Sequence, residues 1–126
     1  MRDAPIPEGV ARPRNPYSSV VRSGDLVFTA GQVALDGSGA PVAGGVAEQT
    51  AQALANVEAC LAAAGCTLDD VLKVNVFLVD LADFDEFNEA YRSAFSEPFP
   101  ARTTVQAGLP DPLRVEIEAV ARLPGS

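Results

Sequence analysis

A chain of 126 residues with 17 Asp plus Glu against 9 Lys plus Arg, a net charge of −8 and neither His nor Trp excludes several chemistries before any motif is read. Without His, no Ser-His-Asp or Cys-His catalytic group and no imidazole-ligated zinc or haem site can be built, so proton transfer falls to carboxylate, Tyr, Lys or water. The length suits one domain spanning 1–126, the 48% hydrophobic content can fill a core, and the acidic field repels phosphate backbones and anionic bilayers, so neither nucleic acid nor a membrane is an expected partner.

In chain order, residues 1–16 (MRDAPIPEGVARPRNP) are rich in proline and charge and read as an irregular arm. The apolar stretch that a secretory leader or a membrane span needs is absent, and the expected location is the cytoplasm. Two apolar runs, Ser19 to Arg22 and Asp25 to Ala34, are broken by Ser23-Gly24 and predict a β-hairpin. The Gly-rich stretch from Asp36 to Gly45 predicts a surface loop; it lacks the lysine and the glycine spacing of a phosphate loop.

From Val46 the apolar period becomes helical, with Val46, Thr50, Ala53, Leu54, Val57, Cys60, Leu61 and Ala64 on one stripe and Gly65 as the stop. Cys60 and Cys66, spaced C-x5-C, match neither a metal knuckle nor a redox pair and read as packed thiols. Val71 to Asp80 is β-branched and predicts a strand with Leu72, Val74, Val76 and Leu78 on its apolar face. Asp83 then precedes a second helical stripe, Phe84, Phe87, Asn88, Tyr91 and Phe95, ended by Pro98 and Pro100. Arg102 to Gln106 and Arg114 to Leu123 predict two strands joined by the turn-rich Gly108-Leu109-Pro110-Asp111-Pro112.

The order β-β-α-β-α-β-β predicts an α+β fold, a single mixed sheet with two helices packed on one face. Two helices cover only that face. Yet the second strand carries Leu26, Phe28 and Ala30 on one side and Val27 and Val33 on the other. The open face needs a cover from outside the chain, so a homo-oligomer is expected.

Several residues fit a core or surface poorly. Arg102, approached through Phe99-Pro100-Ala101, is a fixed guanidinium suited to forking a ligand carboxylate, or else one half of a surface or intersubunit salt bridge in an acidic protein. Glu116 and Glu118 share one strand face, opposite Val115, Ile117 and Ala119; a covered face would raise a carboxyl pKa and suit it to a water proton, whereas a solvated one would pair it with Arg114 or Arg122. Asn88 interrupts an apolar stripe and either caps a loop or reaches a ligand. Tyr17 after the arm is a proton donor or an amphipathic plug, and Gly31 inside a strand marks a bulge or a close approach to the backbone.

Asn15-Pro16-Tyr17, Thr29-Ala30-Gly31-Gln32-Val33, Phe87-Asn88, Phe99-Pro100-Ala101-Arg102 and Val115-Glu116-Ile117-Glu118-Ala119, in that order over nearly the whole chain, resemble the Rid family of imine deaminases, also called YjgF or UK114 proteins. The resemblance implies a chorismate-mutase-like homotrimer with pockets between subunits, no cofactor or metal, and a damage-control role. The implied reaction is hydrolysis of 2-iminobutanoate, 2-iminopropanoate or a related enamine to the 2-keto acid and ammonia. It assigns Arg102 to the substrate carboxylate and Glu118 to the hydrolytic water, with Tyr17, Gly31 and Asn88 in the pocket. Ala30 and Thr104 fall at further pocket positions where familiar deaminases carry Ser and Cys, which leaves room for a relative acting on a larger enamine, for instance an aminomuconate-type compound. A non-catalytic trimer binding small carboxylates is a further alternative. The ribonuclease role attached by name to some relatives fits poorly with a charge of −8.

Overall fold

A computed structural model describes residues 1–125. Its elements follow the expected order: β1 (Val20–Ser23), β2 (Leu26–Thr29), α1 (Val46–Ala63), β3 (Val71–Leu78), α2 (Phe84–Arg92), β4 (Ala101–Gln106) and β5 (Val115–Arg122), with single 3-10 turns at Leu68–Asp70 and Leu81–Asp83. The strands form one mixed sheet in the order β1-β2-β5-β3-β4. Neighbours are antiparallel except β3 and β4. A parallel pair cannot be joined by a hairpin, so the chain crosses over through α2, and this connection sets α2 beside the strand that carries Arg102.

The α1 stripe is buried throughout, from Val46 to Ala64, and packs with Val74, Val76, Leu78, Val115, Ile117, Ala119 and Ala121 of the sheet. Each such aliphatic side chain removed from water contributes about 1.5–3 kcal/mol where it is as large as Val, Leu or Ile. Gly65 closes the helix at φ +92°, a conformation that β-carbons oppose. Buried Gln49 donates to the Pro112 carbonyl at 2.9 Å and accepts from the Arg114 N–H at 2.8 Å, tying α1 to the loop that starts β5.

The ends of β2 and α2 and the buried face of β3 differ from the sequence expectation. The second strand ends at Thr29 rather than Ala34, and the chain continues through an isolated bridge between Gln32 and Ile117. A register shift between Val71 and Lys73 buries Val71 and leaves Leu72 half exposed, so the apolar face of β3 begins one residue earlier and skips Leu72. Helix α2 stops at Arg92, well short of Pro98, and Phe95 beyond it packs on Tyr91 with ring centroids 4.8 Å apart. The arm is irregular but anchored, since Asp3 and Arg22 exchange two backbone hydrogen bonds of 2.8 Å.

The face away from the helices carries exposed apolar side chains among polar ones. Phe28 is 43% exposed there opposite Val120, and exposed Val105 pairs with Phe77. Among the described residues no helix is long and apolar enough to cross a membrane, and no cluster of three metal-ligating side chains forms.

Candidate functional site

The singled-out residues gather in two places. On the helix side, Arg102 pairs with Val74 across the β3–β4 ladder and so shares the face of that buried valine. Its guanidinium carbon lies 4.7 Å from the Tyr91 ring centroid, 5.3 Å from that of Phe87 and 5.7 Å from that of Phe84. The helical spacing of Phe84, Phe87 and Tyr91 puts the three rings on one face of α2, and stacking on them orients the planar cation. Within the chain no ion pair engages Arg102 among the described residues, where the ion pairs join Arg114 to Asp83 and Arg122 to Asp25.

Arg102 opens into a cleft of about 260 Å³ lined by Asn88, Tyr91, Arg92, Phe99 and Pro100. Asn88 therefore faces the cleft beside Arg102, as a ligand-reaching amide would. Tyr91 is only 5% exposed, its hydroxyl has no hydrogen-bond partner, and burial pushes its pKa up to about 12 against the opposing pull of Arg102. Thr104, two residues on, also turns to the helix side; its hydroxyl is buried without a partner and lies outside the cleft lining.

The second group lies across the sheet. Glu118 pairs with Asn75 on the uncovered face, and the Asn75 Nδ2 donates to its Oε2 at 3.1 Å. Glu116 shares that face, next to Gly31. A β-carbon on Gly31 would stand 2.7 Å from the Glu116 carboxyl carbon, so glycine is what admits the carboxylate there. Burial, and then the charge of Glu118, hold the Glu116 carboxyl above its usual pKa. Neither glutamate pairs with Arg114 or Arg122, whose partners are Asp83 and Asp25.

Gly31 and Tyr17 line a small cavity of about 60 Å³ together with Gln32 and Asn56. Buried Asn56 donates to the carbonyls of Val33 at 3.0 Å and Leu35 at 2.9 Å, which braces the segment after Gly31 from α1. Ala30 is half-buried beside it and donates its N–H to the Ser19 carbonyl at 2.8 Å. Sequence reasoning missed Asn75, Tyr91 and Arg92 as members of these groups. Asn75 was detectable as the one amide in a strand that is apolar but for it and Lys73; Tyr91 and Arg92 carried no signal apart from their helical register.

The model of the family described as Endoribonuclease L-PSP matches residues 9–123. The chain belongs to that family, the YjgF/RidA family. Among curated family members, a RutC family protein of Pyrococcus horikoshii is 42% identical over 123 residues, covering 96% of this chain and 98% of its own length. The human 2-iminobutanoate/2-iminopropanoate deaminase is 46% identical over 108 residues, 84% of this chain and 79% of its own. The crystal structure of yeast Mmf1 superposes with a TM-score of 0.93 at 31% identity, covering 98% of this chain and 99% of that one. The family membership and the fold expected from the sequence are thus both met, and relatives named as imine deaminases support an enzyme of the Rid type that hydrolyses C–N bonds.

Proposed function

We propose that this chain hydrolyses small 2-imino acids to 2-keto acids and ammonia in pockets between the subunits of a homotrimer, each pocket taking Arg102 and Asn88 from one copy and Glu118, Gly31 and Tyr17 from its neighbour. The carrying observation is that Arg102 is oriented by three aromatic rings and by no carboxylate, and opens on a cleft. A guanidinium left unpaired in a chain of net charge −8 is a receptor for a ligand carboxylate. The exposed apolar residues of the uncovered face, Phe28 and Val105 among them, support burial against other copies.

The chemistry needs little more. An imine carbon is already electrophilic, so the pocket has to hold the substrate, present water and move a proton. Arg102 binds the C1 carboxylate and fixes the C=N bond. Glu118, steadied by Asn75, accepts a hydrogen bond from water and takes its proton as the oxygen attacks C2 and the C=N π electrons move to nitrogen. Returning that proton to nitrogen gives the carbinolamine; Glu118 then carries the hydroxyl proton to the same nitrogen, so that ammonia leaves as the C–N bond breaks and the C=O bond forms, with no change in oxidation state.

The deciding experiment generates 2-iminobutanoate or 2-iminopropanoate in situ with an amino-acid oxidase and traps residual imine with semicarbazide. Wild type suppresses semicarbazone formation and Arg102→Ala does not. Equal semicarbazone yield with and without the wild-type protein, over small and bulky imines, overturns the assignment.

A further inference from the structure

The cleft beside Arg102 holds a second guanidinium. Arg92 lines it too, with its charged carbon 5.9 Å from the Phe99 ring centroid, and no carboxylate is among the lining residues. Two arginines at one cleft of about 260 Å³ run against the charge of the whole chain, −8. Among the described residues neither is within salt-bridge distance of an acidic group, and each rests on aromatic rings alone. Tyr91 lines the same cleft, and its hydroxyl is buried with no hydrogen-bond partner. Arg92 is the last residue of α2, where the helix dipole favours a cation. The dipole accounts for a positive charge at that end of the helix; it does not account for the stacking over Phe99 or for the second unpaired arginine on the same cleft.

A ligand with one carboxylate engages Arg102 and leaves Arg92 with no group of the ligand to bind, since in the pocket proposed above the neighbouring copy's Glu118 is held by Asn75 and engages the water. A ligand with two acidic groups satisfies both, and Phe99 and Pro100 between them offer apolar contact to the carbon chain that links those groups. We propose that the cleft is built for a dianion: Arg102 takes the C1 carboxylate and Arg92 a second acidic group, so the preferred substrates are 2-imino acids with an acidic side chain, where we take the imine chemistry from the function proposed above. Arg92 is then the residue that sets side-chain preference.

Calorimetric titration with 2-oxobutanoate, oxaloacetate and 2-oxoglutarate, as product analogues with one or two carboxylates, tests the binding without catalysis. At fixed ionic strength the wild type is expected to bind at least one dicarboxylate about tenfold more tightly than 2-oxobutanoate. Arg92→Gln brings that ratio to within about twofold of one, and Arg92→Lys keeps part of it, since it retains the charge but not the fork. A ratio near one in the wild type, or a ratio unchanged in Arg92→Gln, overturns the inference. The same proteins then receive imines made in situ from aspartate by aspartate oxidase and from leucine by an amino-acid oxidase. Dicarboxylate preference in binding without hydrolysis of either imine keeps the dianion site and overturns the hydrolytic function. Hydrolysis of both imines at equal kcat/KM, with no binding preference, does the reverse.

Discussion

Arg102 and Glu118 stand at adjacent register positions of one sheet and point to opposite sides of it. Arg102 pairs with Val74 on the helix side, and Glu118 with Asn75 on the uncovered side. The backbone of the sheet lies between them, so the two side chains of one copy cannot touch one small substrate. They can act together only if drawn from different copies. Arg102→Ala and Glu118→Gln should each be inactive alone, yet mixing the two under conditions that exchange subunits should restore activity at about one site in four, the share of random interfaces with both native residues. No recovery on mixing, with subunit exchange verified by mass spectrometry, would place both residues in one copy.

Arg102→Lys keeps the charge and loses the planar fork and the stacking on Tyr91 and Phe87. Misplacing the substrate carboxylate in this way should lower kcat/KM on the order of 10²-fold. Steady-state rates on a 2-imino acid, with the circular dichroism spectrum and melting temperature unchanged, check it.

Gly31→Ala should act on Glu116 rather than on the fold. The three atoms nearest the new methyl all belong to the flexible Glu116 side chain, which can swing aside, so the expected loss of stability is at most about 1 kcal/mol. Activity should fall by more, because the displaced carboxylate enters the face shared with Glu118. In a Glu116→Ala background the same substitution should cost nothing further, a coupling that a double-mutant cycle in thermal unfolding reads directly.

Burial raises the Glu116 carboxyl above its ordinary pKa of 4.5, so the folded chain binds this proton more tightly than the unfolded chain does. Stability from this residue is therefore greatest in acid and is lost as pH rises from about 4.5 through the higher folded value. Glu116→Gln removes the titration. The variant should gain stability relative to wild type between pH 4 and pH 7 in urea unfolding, and a parallel pH dependence of the two proteins would contradict it.

Asn56→Ala removes the donor to two carbonyls, Val33 and Leu35, in a residue that is 4% exposed. Leaving both acceptors unsatisfied should cost about 2–3 kcal/mol. The loosened segment runs on from Gly31, so any loss of activity should exceed what the lowered melting temperature explains at 25 °C.

Much of this molecule is written in local patterns. The α1 stripe, the β-branched run of β3 and the turn residues around Gly24, Gly65 and Gly108 to Pro112 act over a few residues each, and hydrophobic periodicity with chain-stopping glycine places their elements in order without knowledge of the fold. The same alternation showed Glu116 and Glu118 sharing a face, and the excess of apolar side chains on the hairpin showed that one face lacks a cover. Charge and the missing histidine confined the chemistry to carboxylates, Tyr, Lys and water.

Sheet register and the crossover were decided in three dimensions. That β4 lies parallel to β3, with Arg102 opposite Val74, depends on pairing between strands more than twenty residues apart, which no local period encodes; it turns Arg102 under the rings of α2 and away from Glu118. The bulge that exchanges Val71 for Leu72 on the buried face, the Asn75 hold on Glu118, the seat of Glu116 against Gly31, and the meeting of Arg92 with Arg102 at one cleft arise in the same way. Each joins side chains that are distant or differently phased in the chain, and the free energy that selects among such contacts comes from packing the whole sheet against α1 and α2 at once.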